Sequence, residues 1–335
     1  MKKYVNLFVF VFMIGACLSQ GRAQTKSAVS YKNPVVDIAM PDPTVIKATD
    51  GYFYVYATES TRNVPIMKSK DLVEWTYCNT AFTNKTRPRF EPKAGIWAPD
   101  INYINGKYVL YYAMSVWGGE QTCGIGVATA NSPQGPFTDH GKMFRSNEIG
   151  VQNSIDPSLL QYEGRNYLVW GSFRGIYVIE LTTDGLSIMP GAKKKRIAGT
   201  AFEAVYIHKH DDYYYMFASI GSCCQGVKST YKVVVGRSKK VWGPYKDKTG
   251  KPMLKNGYSL VIGANDHFVG NGHGSQIIQD DAGQDWLLYH GFSRSTPENG
   301  RILLLDQIKW DQEGWPYVEG GSPSYETQKA PVFNN

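Results

Sequence analysis

The stretch DGYFYVYAT at residues 50–58 decides the fold, because its pattern occurs five times in this 335-residue chain. Each copy is a turn containing Gly or Asp that leads into a strand rich in aromatic and β-branched residues, as in a β-hairpin. The other copies are NGKYVLYYA (105–113), EGRNYLVWG (163–171), DDYYYMFAS (211–219) and AGQDWLLYHG (282–291). Consecutive copies start 48 to 71 residues apart, which leaves room for about four short strands in each unit.

A second strand-like segment precedes each of these turns. The five segments are DPTVI (42–46), WAPDINYI (97–104), IDPSLLQY (155–162), FEAVYIHK (202–209) and GHGSQIIQ (272–279). Five units of about four strands predict an all-β five-bladed β-propeller over residues 30–330. A two-sheet sandwich is the alternative, but it does not require the same hairpin five times. The aromatic content of 13% and the 34 glycines agree with an all-β protein.

Residues 1–23 form a predicted signal peptide, in which two lysines precede an apolar run too short to span a membrane. Two cleavage sites are consistent with the sequence. IGAC (14–17) resembles a lipobox, which would end the signal before Cys17 and lipidate that residue, whereas GRAQ (21–24) offers ordinary cleavage. Both alternatives predict export from a bacterial cytoplasm to a periplasmic, secreted or lipid-anchored location.

The charge of the chain excludes some classes of partner. Its formal net charge is +7, which falls to +4 when Lys2, Lys3 and Arg22 leave with the signal. This small excess does not indicate a nucleic-acid-binding protein, and the basic run KKKR (193–196) is interpreted as a solvated loop. We expect a monomer without an organic cofactor, whose only membrane contact would be a lipid anchor on Cys17.

Four cysteines lie beyond the signal peptide. Cys78 and Cys123 could pair, although sequence alone cannot show it. Cys223 and Cys224 are adjacent, and a disulfide normally joins residues whose Cα atoms lie about 5.5 Å apart. Two free thiols are therefore expected at 223 and 224. The chain has no pair of CxxC motifs, so a structural zinc site is not expected.

The repeat aligns several polar residues at the start of the first strand of each blade. In a propeller these strands line the central channel, so their entry residues meet at one end of it. The residues in this register are Asp42, Asp156, Glu203 and His273, with Trp97 and Asp100 near the equivalent place in the second unit. The sequence therefore predicts that three carboxylates and a histidine converge.

Grouped carboxylates raise one another's pKa, because their ionised forms repel. Glu203 also lies among apolar neighbours, so desolvation favours its neutral form and makes it the candidate general acid. Asp42 and Asp156 each precede a proline, and we expect them to stay ionised as a base or as a charge that tunes a neighbour. An acid that faces a base across a sugar is the arrangement used in glycoside hydrolysis.

Five segments of the chain closely resemble glycoside hydrolase family 43, in the order that the family shows. They are MPDPTVIKATDGYFYVYAT, WAPDINYINGKYVLYY, NSIDPSLL, FEAVYIHKHDDYYYMF and LLLDQIKWDQEGWPYV, and the resemblance covers about residues 33–320. It implies a five-bladed propeller and an inverting mechanism. It also implies that Asp42 is the general base, Asp156 the modulator of the acid's pKa, and Glu203 the general acid. His273 matches a histidine that helps to hold a calcium ion, largely through water, since Ca²⁺ prefers oxygen ligands.

Within the family, VQNSIDPSLL and GSCCQGVKSTYKVVVGRSKKVWGPY are most similar to endo-α-1,5-L-arabinanases, which act on a plant cell-wall polysaccharide. This likeness implies that Asn153 and Ser154 line the sugar site. Trp97 would stack on a sugar or pack in the channel, and Arg301 would contact substrate, pair with a carboxylate, or be a surface charge. The alternatives are an exo-acting β-xylosidase, an α-L-arabinofuranosidase or a xylan-active enzyme of the same family, and a non-catalytic carbohydrate-binding propeller.

Overall fold

Five antiparallel sheets follow one another along the chain, as the repeat predicts. The structure is a computed structural model that describes Met1 and residues 30–334. The remainder of the predicted signal peptide, including Cys17, lies outside the described residues. Within the described part of the chain, no helix has the length and hydrophobicity needed to cross a bilayer.

The sheets are the blades of a five-bladed β-propeller, and the first four each contain four strands in chain order. A short strand, β1 (Ser30–Tyr31), precedes them. Blade 1 contains β2 (Thr44–Lys47), β3 (Phe53–Tyr56), β4 (Pro65–Ser69) and β5 (Thr76–Thr80). Blade 2 contains β6 (Gly95–Ile104), β7 (Lys107–Ser115), β8 (Gly124–Ala130) and β9 (Thr138–Arg145).

The next two blades repeat this order. Blade 3 contains β10 (Ser158–Tyr162), β11 (Arg165–Trp170), β12 (Ile176–Glu180) and β13 (Lys195–Ala198). Blade 4 contains β14 (Glu203–His210), β15 (Tyr213–Ile220), β16 (Lys232–Ser238) and β17 (Ser259–Ile262). The helical segments are α1 (Ser146–Ile149) and the 3₁₀ turns Gly226–Lys228, Met253–Lys255, Pro297–Asn299 and Glu319–Gly321.

Blade 5 differs from the others because its first strand is interrupted. Its strands are β18 (Phe268–Gly272), β19 (Ile278–Gln279), β20 (Asp285–Ser293), β21 (Ile302–Trp310) and β22 (Pro316–Tyr317). Both β18 and β19 pair with β20, and residues 273–277 leave the ladder between them. The prediction of a single strand over residues 272–279 is therefore wrong. The interruption places His273 and Gln276 in the channel.

The two ends of the described chain meet on blade 5 and close the ring. Strand β1 pairs with β23 (Gln328–Lys329). The Tyr31 hydroxyl and the Asn33 side-chain amide both donate to the Leu305 carbonyl at 2.9 Å. These contacts fix the last blade against the N-terminal segment that leads directly into blade 1.

Apolar side chains fill the spaces between neighbouring blades. Members of the layer between blades 1 and 2 are Tyr56, Ile66, Ile96, Leu110 and Tyr112, and members of the layer between blades 4 and 5 are Phe217, Val235, Leu287 and Leu304. Each fully buried side chain of this size contributes about 1.5–3 kcal/mol. These layers hold the strand ends in place at one end of the central channel. We call this end, where Asp42, Asp156, Glu203 and His273 lie, the channel mouth.

Every blade has a left-handed kink in its first strand or within two residues of it. The kinked residues and their φ angles are Asp42 (54°), Ala98 (42°), Asp156 (55°), Ala204 (52°) and His273 (50°). Such a conformation costs a non-glycine residue of the order of 1–3 kcal/mol, so surrounding contacts must hold it. Three candidate site residues occupy the kink itself, whereas Glu203 and Trp97 come directly before it.

Two expectations about surface residues need correction. Cys223 and Cys224 form a disulfide with a Cα–Cα distance of 3.8 Å, although two free thiols were expected from the usual separation. The two residues lie in the loop from β15 to β16, and Cys78 and Cys123 are free. The KKKR run is exposed, but its last two residues belong to β13, the outermost strand of blade 3.

Candidate active site

Asp42 is surrounded by cationic and polar side chains at the channel mouth. Its Oδ1 accepts a hydrogen bond from Arg301 Nη1 at 2.7 Å and lies 3.2 Å from His273 Nδ1 and 3.3 Å from His290 Nδ1. Its Oδ2 accepts a hydrogen bond from the Thr58 hydroxyl at 2.6 Å. Burial alone would raise the pKa of Asp42, but Arg301 and His273 hold it well below the usual range. Asp42 is therefore ionised at neutral pH, in agreement with the sequence-based prediction.

The two histidines beside Asp42 differ in charge. The backbone N–H of Asp42 donates to Nδ1 of His290 at 3.0 Å, so this imidazole is neutral and carries its proton on Nε2. Burial lowers the pKa of His290 to about 4. Burial also opposes protonation of His273, but the charge of Asp42 outweighs it and raises the pKa of His273. The His273 backbone N–H donates to Ser219 Oγ at 2.8 Å, which helps to hold the kink.

Glu203 and Asp156 form a second group, on blades 4 and 3, in which the two carboxyls interact. Burial raises the pKa of both residues, and the charge of Glu203 raises that of Asp156 further. The Ala204 backbone N–H donates to Asp156 Oδ2 at 3.1 Å and ties the two blades together. Because two close buried carboxyls resist ionising together, the pair retains a proton near neutral pH.

This pairing changes the expectation for Asp156. The sequence predicts that Asp156 stays ionised like Asp42, since both precede a proline. Its neighbour is instead the carboxyl of Glu203, and its pKa is raised. The local proline rule describes the backbone of both residues, but the charge state depends on side chains from other blades.

A chain of hydrogen bonds positions the Glu203 carboxyl. The Ser172 hydroxyl donates to Glu203 Oε2 at 2.6 Å. The Asn153 amide donates to Ser172 Oγ at 3.0 Å and to the Ser172 carbonyl at 3.1 Å. The Tyr231 phenol faces the same carboxyl, and its ring stacks on His290 with 5.6 Å between centroids. Tyr231 therefore links the Glu203 side of the mouth to the Asp42 side.

The prediction that Ser154 lines the sugar site is wrong. Ser154 is 0% exposed, and its hydroxyl donates to the Val151 carbonyl at 2.8 Å. The same hydroxyl oxygen accepts a hydrogen bond from Trp170 Nε1 at 3.0 Å. Asn153, immediately before it in the segment that leads to β10, has a φ of 55°, and the Ser154 side chain lies inside the protein instead of at the mouth.

The other predicted sugar-contacting residues lie at the mouth. Trp97 is half-buried against Ala113, Cys123 and Ile155, so part of its indole is accessible. A Cβ on Gly95 would lie 2.4 Å from Trp97 Nε1, so glycine is needed there for the indole to fit. Asn153 is half-exposed beside Ser172. Arg301 pairs with Asp42, which is one of the three roles open to it from the sequence.

Below the mouth, Asp100 joins several blades. Its carboxylate accepts hydrogen bonds from the Leu159 backbone N–H at 2.7 Å and from Gln276 Nε2 at 3.1 Å. Burial raises the pKa of Asp100 to about 7. A cavity of about 20 Å³, close to the volume of one water molecule, lies on the axis beside Asp100, Asp156, His273 and Gln276.

The mouth thus combines an ionised carboxylate with a protonated pair of carboxyls, which is what acid–base hydrolysis of a glycoside requires. The sequence profile of Glycosyl hydrolases family 43 matches residues 31–316. The chain belongs to glycosyl hydrolase family 43. It is therefore a hydrolase of O-glycosyl bonds.

Three relatives illustrate the likeness. An extracellular endo-α-(1→5)-L-arabinanase of Bacillus subtilis is 37% identical over 82% of this chain and 86% of its own. An extracellular exo-α-(1→5)-L-arabinofuranosidase of Cellvibrio japonicus is 36% identical over 83% of this chain and 86% of its own. The solved structure of a Cellvibrio cellulosa α-L-arabinanase with arabinohexaose has a TM-score of 0.77 at 33% identity, covering 85% of this chain and 96% of that one.

Sequence reasoning missed several residues that shape the site. His290, Thr58, Ser172 and Tyr231 each contact Asp42 or Glu203 directly. The only signal for His290 is a histidine inside the apolar strand LLYHGF, where it would need a polar partner. The others are ordinary residues at the ends of second and third strands, and only the propeller geometry brings them to the channel.

Proposed function

We propose that the protein is an exported, inverting hydrolase of α-1,5-linked arabinan. The observation that carries the acid–base assignment is the contrast between Asp42, whose pKa Arg301 holds low, and Glu203, whose pKa burial raises. The relatives, which include both an endo-arabinanase and an exo-arabinofuranosidase, support an arabinose polymer as substrate.

In the proposed reaction, a water molecule loses a proton to Asp42 and attacks the anomeric carbon. As the glycosidic bond breaks, its electron pair goes to the leaving oxygen, which takes the proton of Glu203. Asp156 supports this step by sharing the proton with Glu203 in the resting enzyme. Ser172 and Tyr231 orient the acid, while Thr58 and Arg301 orient the base.

Sugar contacts are proposed for the accessible side chains around this centre. Trp97 offers an indole edge to a sugar ring, and Asn153 offers its amide carbonyl oxygen while its NH₂ group holds Ser172. Trp117, on the loop from β7 to β8, is 82% exposed at the same end of blade 2. An exposed indole at a rim is suited to stacking on an extended chain of sugars.

We also propose that the axial cavity holds one calcium ion. The carboxylates of Asp100 and Asp156 line this cavity and suit an oxygen-preferring cation, whereas the amide oxygen of Gln276 already accepts hydrogen bonds from the Thr44 hydroxyl and the Val45 backbone N–H. His273 would reach the ion through water, and its raised pKa means that the ion must compete with the His273 proton. The cation would supply positive charge close to the carboxyl pair. Metal analysis of protein before and after chelation tests this assignment, and calcium should bind more tightly at pH 8 than at pH 6.

Export agrees with the extracellular relatives and with the predicted signal, and a monomer, with or without a lipid on Cys17, is the proposed form. Mass spectrometry of the mature N-terminus separates the two cleavage sites.

The decisive experiment is product analysis after incubation with linear arabinan, with xylan in parallel. Arabino-oligosaccharides of mixed length support the endo-acting proposal. Release of a single short product, with hydrolysis of aryl arabinofuranosides, supports the exo-acting alternative, which the Cellvibrio japonicus relative favours. Products from xylan alone would overturn the arabinan assignment and keep the acid–base assignment.

A further inference from the structure

A second group of ionisable side chains lies between blades 4 and 5, at the end of the channel opposite the active site. Strand β14 begins with Glu203 at the active site and ends with His210. At about 3.3 Å per residue, His210 is roughly 20 Å from Glu203 along the strand. Strand β20 runs the other way, so its first residue, Asp285, lies at the same distant end.

The group consists of His208, His210 and Asp285. His208 and His210 are two residues apart on one strand, so their side chains share a face of the sheet. One ligand atom from each of the three residues lies within 4.8 Å of the others. His210 Nδ1 is 3.7 Å from Asp285 Oδ2, which is too far for a direct hydrogen bond.

Trp310 holds two of these side chains in place. Its indole stacks on the His210 ring, with 3.7 Å between centroids and 6° between planes. Its Nε1 donates to Asp285 Oδ2 at 2.8 Å. Asp285 is 3% exposed and also accepts a hydrogen bond from Gln279, but a carboxylate has about four acceptor sites, so two stay free. A second layer that fixes a ring and a carboxylate is a common feature of metal sites.

The imidazoles have no hydrogen-bond partner that would explain their position. Among residues 30–334, neither ring of His208 and His210 makes a hydrogen bond, although both are half-buried; His210 Nε2 lies 3.6 Å from Oδ2 of the exposed Asp211, beyond hydrogen-bond distance. Half-buried imidazole nitrogens beside a buried carboxylate suit a ligand that accepts electron pairs from all three. We propose that His208, His210 and Asp285 bind one divalent cation of the zinc type and so join blade 4 to blade 5.

The donor set selects the class of ion. Two nitrogens and one carboxylate oxygen suit Zn²⁺, with water as a fourth ligand, and they do not suit Ca²⁺. Ni²⁺ and Cu²⁺ would also bind such a set. Tetrahedral zinc places its donors about 3.4 Å apart, so the side chains would close in by roughly 1 Å. This site is separate from the oxygen-rich axial cavity proposed for calcium.

The test uses tag-free protein that has been stripped with a chelator and then freed of it. Zinc sulfate is titrated by calorimetry in buffer with excess calcium chloride, which fills the axial cavity. The His208→Gln/His210→Gln double variant should bind one zinc ion fewer per chain than the unmodified protein. The His140→Gln variant is the matched control, because His140 is an exposed imidazole of blade 2 whose Nε2 forms a hydrogen bond with the Thr129 hydroxyl, and its zinc binding should be unchanged.

Two further readouts keep the result interpretable. Cobalt bound at this site should give the visible absorption of a tetrahedral ion in the unmodified protein and lose it in the double variant. Zinc should raise the melting temperature of the unmodified protein and not that of the double variant. Hydrolysis of arabinan should be the same in all variants without zinc, which shows that they fold.

If the double variant is unstable, His208→Gln alone should weaken zinc binding at least about tenfold. Equal zinc stoichiometry and affinity in the unmodified protein and the folded variants would overturn the proposal.

Discussion

The two sides of the channel mouth bury carboxyl groups to the same degree but place them in opposite electrostatic surroundings. Asp42 is 8% exposed, and Asp156 and Glu203 are each 7% exposed. On the Asp42 side, blade 5 supplies Arg301 and His273, and the pKa is depressed. On the other side, the two carboxyls face each other and their pKa values are raised.

The comparison shows that burial does not decide which carboxyl is the base and which is the acid. Desolvation raises the pKa of all three residues, so the difference comes from the side chains that neighbouring blades bring to each one. A propeller can therefore divide acid from base across its channel while repeating the same kink in every blade.

The largest effect is expected for substitution of the proposed base, Asp42, and the proposed acid, Glu203, which lie on opposite sides of the channel mouth. Glu203→Gln and Asp42→Asn should each lower kcat on arabinan by about 10²- to 10⁴-fold, because each removes one proton transfer. An aryl arabino-oligosaccharide with a good leaving group distinguishes the two variants. Because the aryl group departs without being protonated, Glu203→Gln should recover much of its rate on this substrate. Asp42→Asn should not, because the attacking water must still lose a proton.

Both substitutions keep the size of the side chain, and the melting temperature shows whether the fold survives. Equal losses of the two variants on the aryl substrate would show that the roles are not divided in this way. A near-normal rate of either variant on arabinan would remove that residue from the mechanism.

The next effect tests the cation that keeps Asp42 ionised. Arg301→Met should raise the pKa of Asp42, since the 2.7 Å ion pair is lost. The acidic limb of the pH profile of kcat/KM should then move to higher pH, so the loss of rate is greatest at low pH and shrinks as pH rises. Arg294→Met is the control, because Arg294 belongs to the same blade but its side chain donates to the Asn265 carbonyl away from Asp42. A uniform loss at all pH values would indicate that Arg301 acts by binding substrate instead.

A smaller effect is expected on the acid side. The Ser172 hydroxyl stabilises the ionised form of Glu203, so Ser172→Ala should raise the pKa of Glu203. Because the acid must be protonated to act, the basic limb of the profile should move to higher pH. The maximal rate should fall several-fold, since the Asn153 amide loses one partner and the acid is held less firmly. An unchanged basic limb would argue that another group controls it.

The fold and the convergence of Asp42, Asp156 and Glu203 at one end of the channel could be predicted from the sequence, because both depend on a repeated local pattern. The turn and strand of each unit are encoded within about twenty residues, and the Asp-Pro pairs mark two of the kinks. The positions relative to the kink were not predicted: Asp156 occupies the kink of its blade, whereas Glu203 precedes the kink of its own, although the two residues lie at similar distances from the turns that follow them.

Contacts between blades could not be predicted in the same way. The contact of Thr58 with Asp42 and that of Ser172 with Glu203 join residues far apart in sequence, whose side chains meet only when the ring closes. Ser154 was predicted at the site but does not lie there. Its neighbour in sequence, Asn153, is at the site, whereas the Ser154 side chain is buried inside the blade.

The smallest expected effect concerns stability and the shared proton. The raised pKa of Asp156 in the folded state means that this residue stabilises the fold below its unfolded pKa of about 4 and that this contribution is lost as pH rises through the folded pKa. Asp156→Asn carries no such charge, so its melting temperature should fall less than that of the unmodified protein between pH 5 and pH 8. With its partner neutral, Glu203 should ionise more easily, so the basic limb of activity should move to lower pH. Ser172→Ala moves that limb in the opposite direction. Because the two variants act on the same carboxyl with opposite sign, a shift in the same direction for both would show that the proton is not held by the Asp156–Glu203 pair.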